Sequence, residues 1–134
     1  MILGIGIDLV ELSRMEAAFG RRGDRLVRRI CTPSEVEQVQ HSRAPVQKLA
    51  EVFGVKEGVM KALGTGMRGV GWQEIDTSGS PQGCVESLLD RRALVVARRL
   101  GATQYSFSVT LSADIVLTAV LLSREEGSKS ALRP

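Results

Sequence analysis

The chain has 134 residues, 43% hydrophobic and 25% charged, with a formal net charge of +3; this is one domain's worth of ordinary globular chain and excludes disorder and fibrous repeats. Its longest apolar stretch, Ile115 to Leu122, is far short of the ~20 residues that cross a bilayer. The first residues carry no export signal, and two cysteines, Cys31 and Cys84, make neither a disulfide framework nor a metal cluster. The expectation is a cytoplasmic protein with reduced, buried or half-buried cysteines, residues 1–123 forming a single domain and 124–134 a polar, flexible tail.

Residues 2–10 alternate with period two, which predicts a strand with Leu3, Ile5, Ile7 and Leu9 on the packed side. Gly4 and Gly6 share the other side with Asp8 and are expected to leave room beside its carboxylate. From Ser13, read as an N-cap, to Ile30 the pattern is helical, with a break at Gly20 or Gly23. Thr32-Pro33-Ser34-Glu35 is a helix start with the capping-box spacing, and that helix runs to about His41. Lys48 to Leu63 gives the clearest helix, closed by Gly64-Thr65-Gly66. Val70 to Thr77 reads as a strand, Ser78 to Pro81 as a turn, and Ser87 to Leu100 as a helix with Leu88, Leu89, Val95 and Val96 inward. Two strands end the domain: an alternating one over Tyr105 to Leu111 and a continuous apolar one over Ile115 to Leu122, expected to be central. The order predicts an α+β fold, an antiparallel sheet packed against helices.

Charge is spread unevenly. Arg14, Arg21, Arg22, Arg25, Arg28 and Arg29 are countered locally only by Glu16 and Asp24. Such a run is either a solvated helix face or a docking surface for an anionic partner. Scarce aromatics argue against nucleic acid. Among the carboxylates, Asp8 sits inside an apolar strand and Glu57 on the best helix, four residues before Lys61. That spacing suits a surface ion pair. A strand Asp and a helix Glu also suit a partly filled oxygen shell for Mg²⁺, completed by phosphate oxygens and water. Lys61 followed by a glycine-rich helix exit suits the approach of a phosphate, although the Walker spacing is absent.

Gly4-Ile-Gly-Ile-Asp8-Leu-Val-Glu-Leu12, Thr32-Pro-Ser-Glu35, Phe53-Gly-Val-Lys-Glu57-Gly-Val-Met-Lys61-Ala-Leu-Gly-Thr-Gly66 and Gly79-Ser-Pro81 together resemble the holo-acyl-carrier-protein synthase family, the small trimeric 4′-phosphopantetheinyl transferases. The resemblance implies that family's fold and transfer of 4′-phosphopantetheine from coenzyme A to a serine of an acyl carrier protein, releasing 3′,5′-ADP. It makes Asp8 and Glu57 Mg²⁺ ligands and catalytic residues together with Lys61, which also contacts the phosphates. It places Gly64, Thr65, Gly66, Pro81, Ser108 and Thr110 around coenzyme A. It assigns Arg14, Arg21 and Arg25 to the acidic carrier protein. It also implies a homotrimer whose terminal hairpin serves a neighbour's site, and the alternation at Tyr105, Phe107, Val109 and Leu111 is read as the exposed face that assembly would bury.

Two positions depart from the family pattern. Val52 stands where members commonly carry an arginine, and Leu111 where the hairpin usually carries a histidine. His41, the single histidine, lies elsewhere and reads as a surface residue. Both departures remove a polar contact to a charged ligand. They motivate two alternative readings: a module that binds a carrier protein or coenzyme A thioester without transferring the arm, and an enzyme with another reaction on a carrier-bound substrate.

Overall fold

The computed structural model describes residues 1–66 and 68–126. In chain order they form β1 (Ile2–Glu11), α1 (Leu12–Arg22), α2 (Asp24–Ile30), α3 (Pro33–Gln40), α4 (Pro45–Leu63), a 3₁₀ turn (Trp72–Glu74), β2 (Gln82–Cys84), α5 (Val85–Leu88), α6 (Arg91–Leu100), β3 (Gln104–Ser112) and β4 (Ile115–Ser123). The strands make one antiparallel sheet in the order β1-β4-β3-β2. The expected α+β architecture and the central place of the last strand are both present. Residues 127–134 of the expected tail lie outside the described residues.

The helix α4 lies against β1 and β4, and small residues set how close it comes. A Cβ built on Gly6 would lie 1.7 Å from the Gly58 carbonyl oxygen, and one on Gly4 would lie 2.2 Å from that of Ala62. Gly54 sits beside Thr118, whose buried hydroxyl donates to the Gly54 carbonyl at 2.8 Å. Glycine at these four-residue intervals lets helix backbone touch strand backbone. The expected packing of β1 is therefore reversed. Its helix side carries Gly4, Gly6, Asp8 and Val10, while Ile5, Ile7 and Leu9 are 57%, 56% and 64% exposed. The space opposite Gly4 and Gly6 is filled by α4 and admits no ligand.

The same correction applies to β3. Tyr105 is buried and Phe107 and Val109 pack on the core. Only Leu111 of the expected exposed series is open. The exposed apolar face is the outer one, where Ile5 and Leu9 stand in register with Leu121 and Leu117.

Local signals decided most helix boundaries. Gly23, at φ 54°, separates α1 from α2. Thr32 and Glu35 form the reciprocal capping box, with the Thr32 amide donating to Glu35 Oε1 at 2.8 Å. Gly64, at φ 78°, stops α4. Ser13 is not the N-cap of α1. It lies inside the first turn, and its amide and hydroxyl donate to the Asp114 carboxylate from the β3–β4 turn (Oγ to Oδ2, 2.8 Å), a long-range anion at a helix start. Residues 70–77 form no strand beyond one bridge between Ile75 and Leu89. The helix expected from Ser87 to Leu100 is interrupted at Leu89–Asp90. Asp90 caps a new helix, and this resets the inward face to Ala93 and Ala97, leaving Val95 exposed. Cys31 is buried, and burial ahead of the nearby Glu35 pushes its thiol up to about 11. Cys84 is exposed rather than half-buried.

Glu74 ties the 3₁₀ turn to α6 by accepting from the Gly71 amide at 2.8 Å and the Ala93 amide at 3.0 Å. Burial pushes its carboxyl upward, but those amides, that of Arg92 and the Arg92 charge outweigh it and hold the group below the usual carboxylate range. A depressed carboxylate stabilises the fold above its ordinary pKa, and the contribution is lost as pH falls through the folded value. Glu74→Gln is expected to melt below the parent at neutral pH. The gap should close as pH is lowered past that range, which melts across an acid series would read.

Candidate active site

Asp8 comes to the seam between β1 and α4, its side chain 14% exposed. From the last turn of α4, the Lys61 ammonium donates to Asp8 Oδ1 and to the Ile7 carbonyl, both at 2.9 Å. Lys61 thus crosses from helix to strand and is not a simple surface partner of Glu57. Glu57 is half-buried one turn earlier on α4. Burial first, then the charge of Asp8, raises its carboxyl above the usual range, with Lys61 pulling the other way. Two carboxylates are therefore close enough to feel each other, with a single ammonium beside them.

This donor set suits a hard cation such as Mg²⁺, which takes oxygen ligands and keeps several from water or phosphate. Among the described residues no cluster of three or more His, Cys, Asp or Glu is gathered, so among them Asp8 and Glu57 form the pair without a third such ligand. Burial and then the Asp8 charge raise Glu57, and a divalent charge at the pair would offset both.

Gly64, Thr65 and Gly66 follow within a turn of Lys61, with the Thr65 amide donating back to the Met60 carbonyl at 3.2 Å. The other expected coenzyme A contacts are elsewhere in the chain. Ser108 and Thr110 are exposed on the outer face, paired with Ala119 and Leu117, whereas Asp8 is on the inner face. Pro81 precedes β2 at the opposite edge of the sheet, its carbonyl accepting from the Phe107 amide. One chain does not bring these three residues to the carboxylates.

Arg14, Arg21 and Arg25 are exposed on α1 and α2. Arg14 borders a groove of about 340 Å³ with Leu9, Met15 and Leu26 in its wall, directly beyond Asp8 along β1. Val52 is buried in the core around Leu49 and Val116, so its position faces inward. His41 is exposed, with its ring nitrogen 2.8 Å from the Glu37 carbonyl.

Sequence reasoning missed Lys56. It stands beside Glu57 within the Phe53–Gly66 motif, yet it is fully buried and pairs with Glu35 at 2.6 Å. The signal was its spacing: positions 52, 56, 59 and 63 form one helical stripe, and the other three are apolar.

An antiparallel sheet clasping one long helix, with a strand carboxylate, a helix carboxylate and a lysine at their seam, defines the class. A sequence model described as the 4′-phosphopantetheinyl transferase superfamily matches residues 4–120, and the chain belongs to that superfamily of phosphopantetheinyl transferase enzymes. It is 38% identical over 123 residues to the holo-[acyl-carrier-protein] synthase of Koribacter versatilis, covering 91% of this chain and 98% of the relative. It is 41% identical over 123 residues, with the same coverage, to that of Nitratidesulfovibrio vulgaris. The crystal structure of the Neisseria meningitidis holo-[acyl-carrier-protein] synthase superposes with a TM-score of 0.77 at 32% identity, over 92% of this chain and all of that one. The Helicobacter pylori enzyme in complex with coenzyme A gives 0.70 at 25% identity, over 89% of this chain and 99% of that one. The expected family and fold are both borne out.

Proposed function

We propose that this protein transfers 4′-phosphopantetheine from coenzyme A to a serine of an acidic acyl carrier protein, releasing 3′,5′-ADP. The meeting of Asp8, Glu57 and Lys61 at one seam carries the reading. Asp8 and Glu57 would hold Mg²⁺, which when bound there neutralises charge on the diphosphate. Lys61, half exposed and bonded to Asp8 and the Ile7 carbonyl, would contact the phosphates from that seam, and Gly64-Thr65-Gly66 would border the nucleotide. The serine oxygen bonds to the pantetheine-bearing phosphorus, the bond to the other phosphate breaks, and 3′,5′-ADP leaves. Glu57, or a water beside it, would relay the serine proton. Arg14, Arg21 and Arg25 receive the acidic carrier by charge complementarity, which governs encounter rate and orientation.

The residues left outside the single-chain site fit an assembly. Ile5, Ile7, Leu9, Leu117 and Leu121 make an apolar sheet face too continuous for a solvated surface. A homotrimer closed through that face would bury it and deliver Ser108, Thr110 and Pro81 to a neighbour's coenzyme A. Light scattering at micromolar concentration is expected to give three times the 14.5 kDa of one chain; a monomer overturns this part of the reading. Residues 1–123 act as the working domain in a cytoplasmic protein.

Mass spectrometry of apo-carrier proteins incubated with coenzyme A and Mg²⁺ tests the activity. The expected result is one added phosphopantetheine mass on the carrier serine. Absence of that mass from every carrier tried, with tight carrier binding by calorimetry, would instead establish a binding module.

A further inference from the structure

Lys56 and Glu35 are charged side chains with 0% exposure, and the reaction proposed above uses neither. Their bonds are fully allotted. The three ammonium protons of Lys56 go to Glu35 Oε1 at 2.6 Å, the Ile30 carbonyl at 2.6 Å and the Trp72 carbonyl at 2.9 Å. Glu35 Oε1 also accepts from the Thr32 amide at 2.8 Å, while Oε2 accepts from the Thr77 amide and from the Thr77 hydroxyl at 2.7 Å. One pair thus ties the end of α2, the start of α3, the middle of α4 and the segment 72–77. Beside it, Phe53 of α4 stacks on Trp72 with ring centroids 5.2 Å apart.

What these bonds hold is the return of the chain after α4. That return leaves the helix at Gly64, whose amide donates to the Lys61 carbonyl at 3.1 Å. It meets the same helix again at Trp72, where Lys56 and Phe53 grip it. Thr65 and Gly66 lie between the two anchors. A buried ion pair is weak as a source of stability, because well-packed apolar side chains do as well. Its directional bonds do something an apolar pair cannot, which is to fix particular carbonyls in place.

We propose that Lys56 and Glu35 are positioning residues for coenzyme A, fixing through Trp72 the segment whose other end, Thr65 and Gly66, borders the nucleotide. This rests on the transferase reading of the site. It gives two adjacent residues two roles: Glu57 works at the seam, and Lys56 anchors the chain at Trp72.

The double variant Glu35→Gln/Lys56→Met tests it. The glutamine keeps one acceptor oxygen, for either the Thr32 or the Thr77 side, the methionine keeps the length of the lysine, and no unpaired charge is buried. Trp72 is the single tryptophan, so acrylamide quenching of its fluorescence reads the far anchor without any substrate. The expected result is increased quenching and a KM for coenzyme A raised about tenfold, with kcat at saturating carrier protein within about twofold of the parent. A folded variant with unchanged quenching and unchanged KM overturns the proposal, as does a parallel fall in kcat and melting temperature at constant KM. If the double variant does not fold, Glu35→Gln/Lys56→Gln, which keeps a neutral donor and acceptor at the two positions, is read by the same two measures; raised quenching with a raised KM supports the proposal, and an unchanged KM overturns it. A parent protein that transfers nothing overturns the transferase reading and this proposal with it, whereas an active parent with indifferent variants overturns the positioning role alone.

Discussion

Gly6→Ala is expected to prevent folding or to lower stability by more than ~4 kcal/mol, beyond the range of ordinary substitutions. The added methyl carbon would lie 1.7 Å from the Gly58 carbonyl oxygen, 2.6 Å from its carbon and 3.0 Å from the Ala62 nitrogen. All three are backbone atoms of α4, so no rotamer change relieves the contact. Either α4 lifts from the sheet, or β1 leaves its register with β4. Both open the seam at which Asp8, Lys61 and Glu57 meet, and both expose the core that Val59, Met60 and Val120 share. A total stability of the usual ~5–15 kcal/mol leaves little after that loss. Gly20→Ala is the matched control. It lies inside α1 with nothing within 4 Å of the added carbon, and alanine there should stabilise by up to ~1 kcal/mol. Calorimetric melts of the two variants should therefore move in opposite directions. A Gly6→Ala melt within a few degrees of the parent would refute the close packing of α4 on β1.

The same glycines explain where the sequence was legible and where it misled. Thr32-Pro-Ser-Glu35, Gly23 and Gly64 marked helix ends because each acts through its own backbone or its near neighbours. The alternation of β1 showed equally well that two faces exist, but apolar character did not say which one meets the helix. Close approach required glycine on the helix side, so the isoleucines went outward to a face that we propose a second copy covers. The signal was there in the matching spacing of Gly4 and Gly6 with Gly58 and Ala62, which only a pairing of two distant segments interprets. Asp90 misled in a similar way, since one capping residue inside an otherwise helical pattern shifted the phase and turned Val95 outward. Of the candidate site, Asp8, Glu57 and Lys61 were readable because both elements bring them to one seam. Ser108, Thr110 and Pro81 do not join them within one chain; on the assembly proposed above they would serve a neighbour's site, which no local pattern could carry. Lys56 was hidden by its neighbour, because motif reading groups residues by adjacency whereas a helix separates adjacent side chains by a hundred degrees.

Asp8→Asn and Glu57→Gln are expected to lower turnover at least about a hundredfold each, since even outer-shell partners of metal ligands cost ten- to a hundredfold when removed. Each substitution keeps size and hydrogen-bonding capacity and removes one of the two negative charges at the seam. Stability should respond differently. Asp8→Asn forfeits an ion pair whose lysine is half exposed, a loss of no more than ~1 kcal/mol after solvent screening. It also removes the Asp8 charge, which after burial is the second cause of the raised Glu57 carboxyl. For Glu57 the sign follows from its raised carboxyl. The folded state favours the protonated form, so that contribution is present at acid pH and is lost as pH rises through the folded value. Glutamine mimics the neutral form at every pH. Glu57→Gln should therefore melt at or above the parent near neutrality, with the difference closing as pH drops below the ordinary carboxylate range. Turnover across a Mg²⁺ titration, set beside melts without added metal, reads both effects. Lost turnover with retained or improved melting is the pattern of carboxylates kept for chemistry at some expense of stability. Unchanged turnover in both variants would sink the assignment of Asp8 and Glu57, and a lowered melting temperature in both would make them structural residues of the β1–α4 seam.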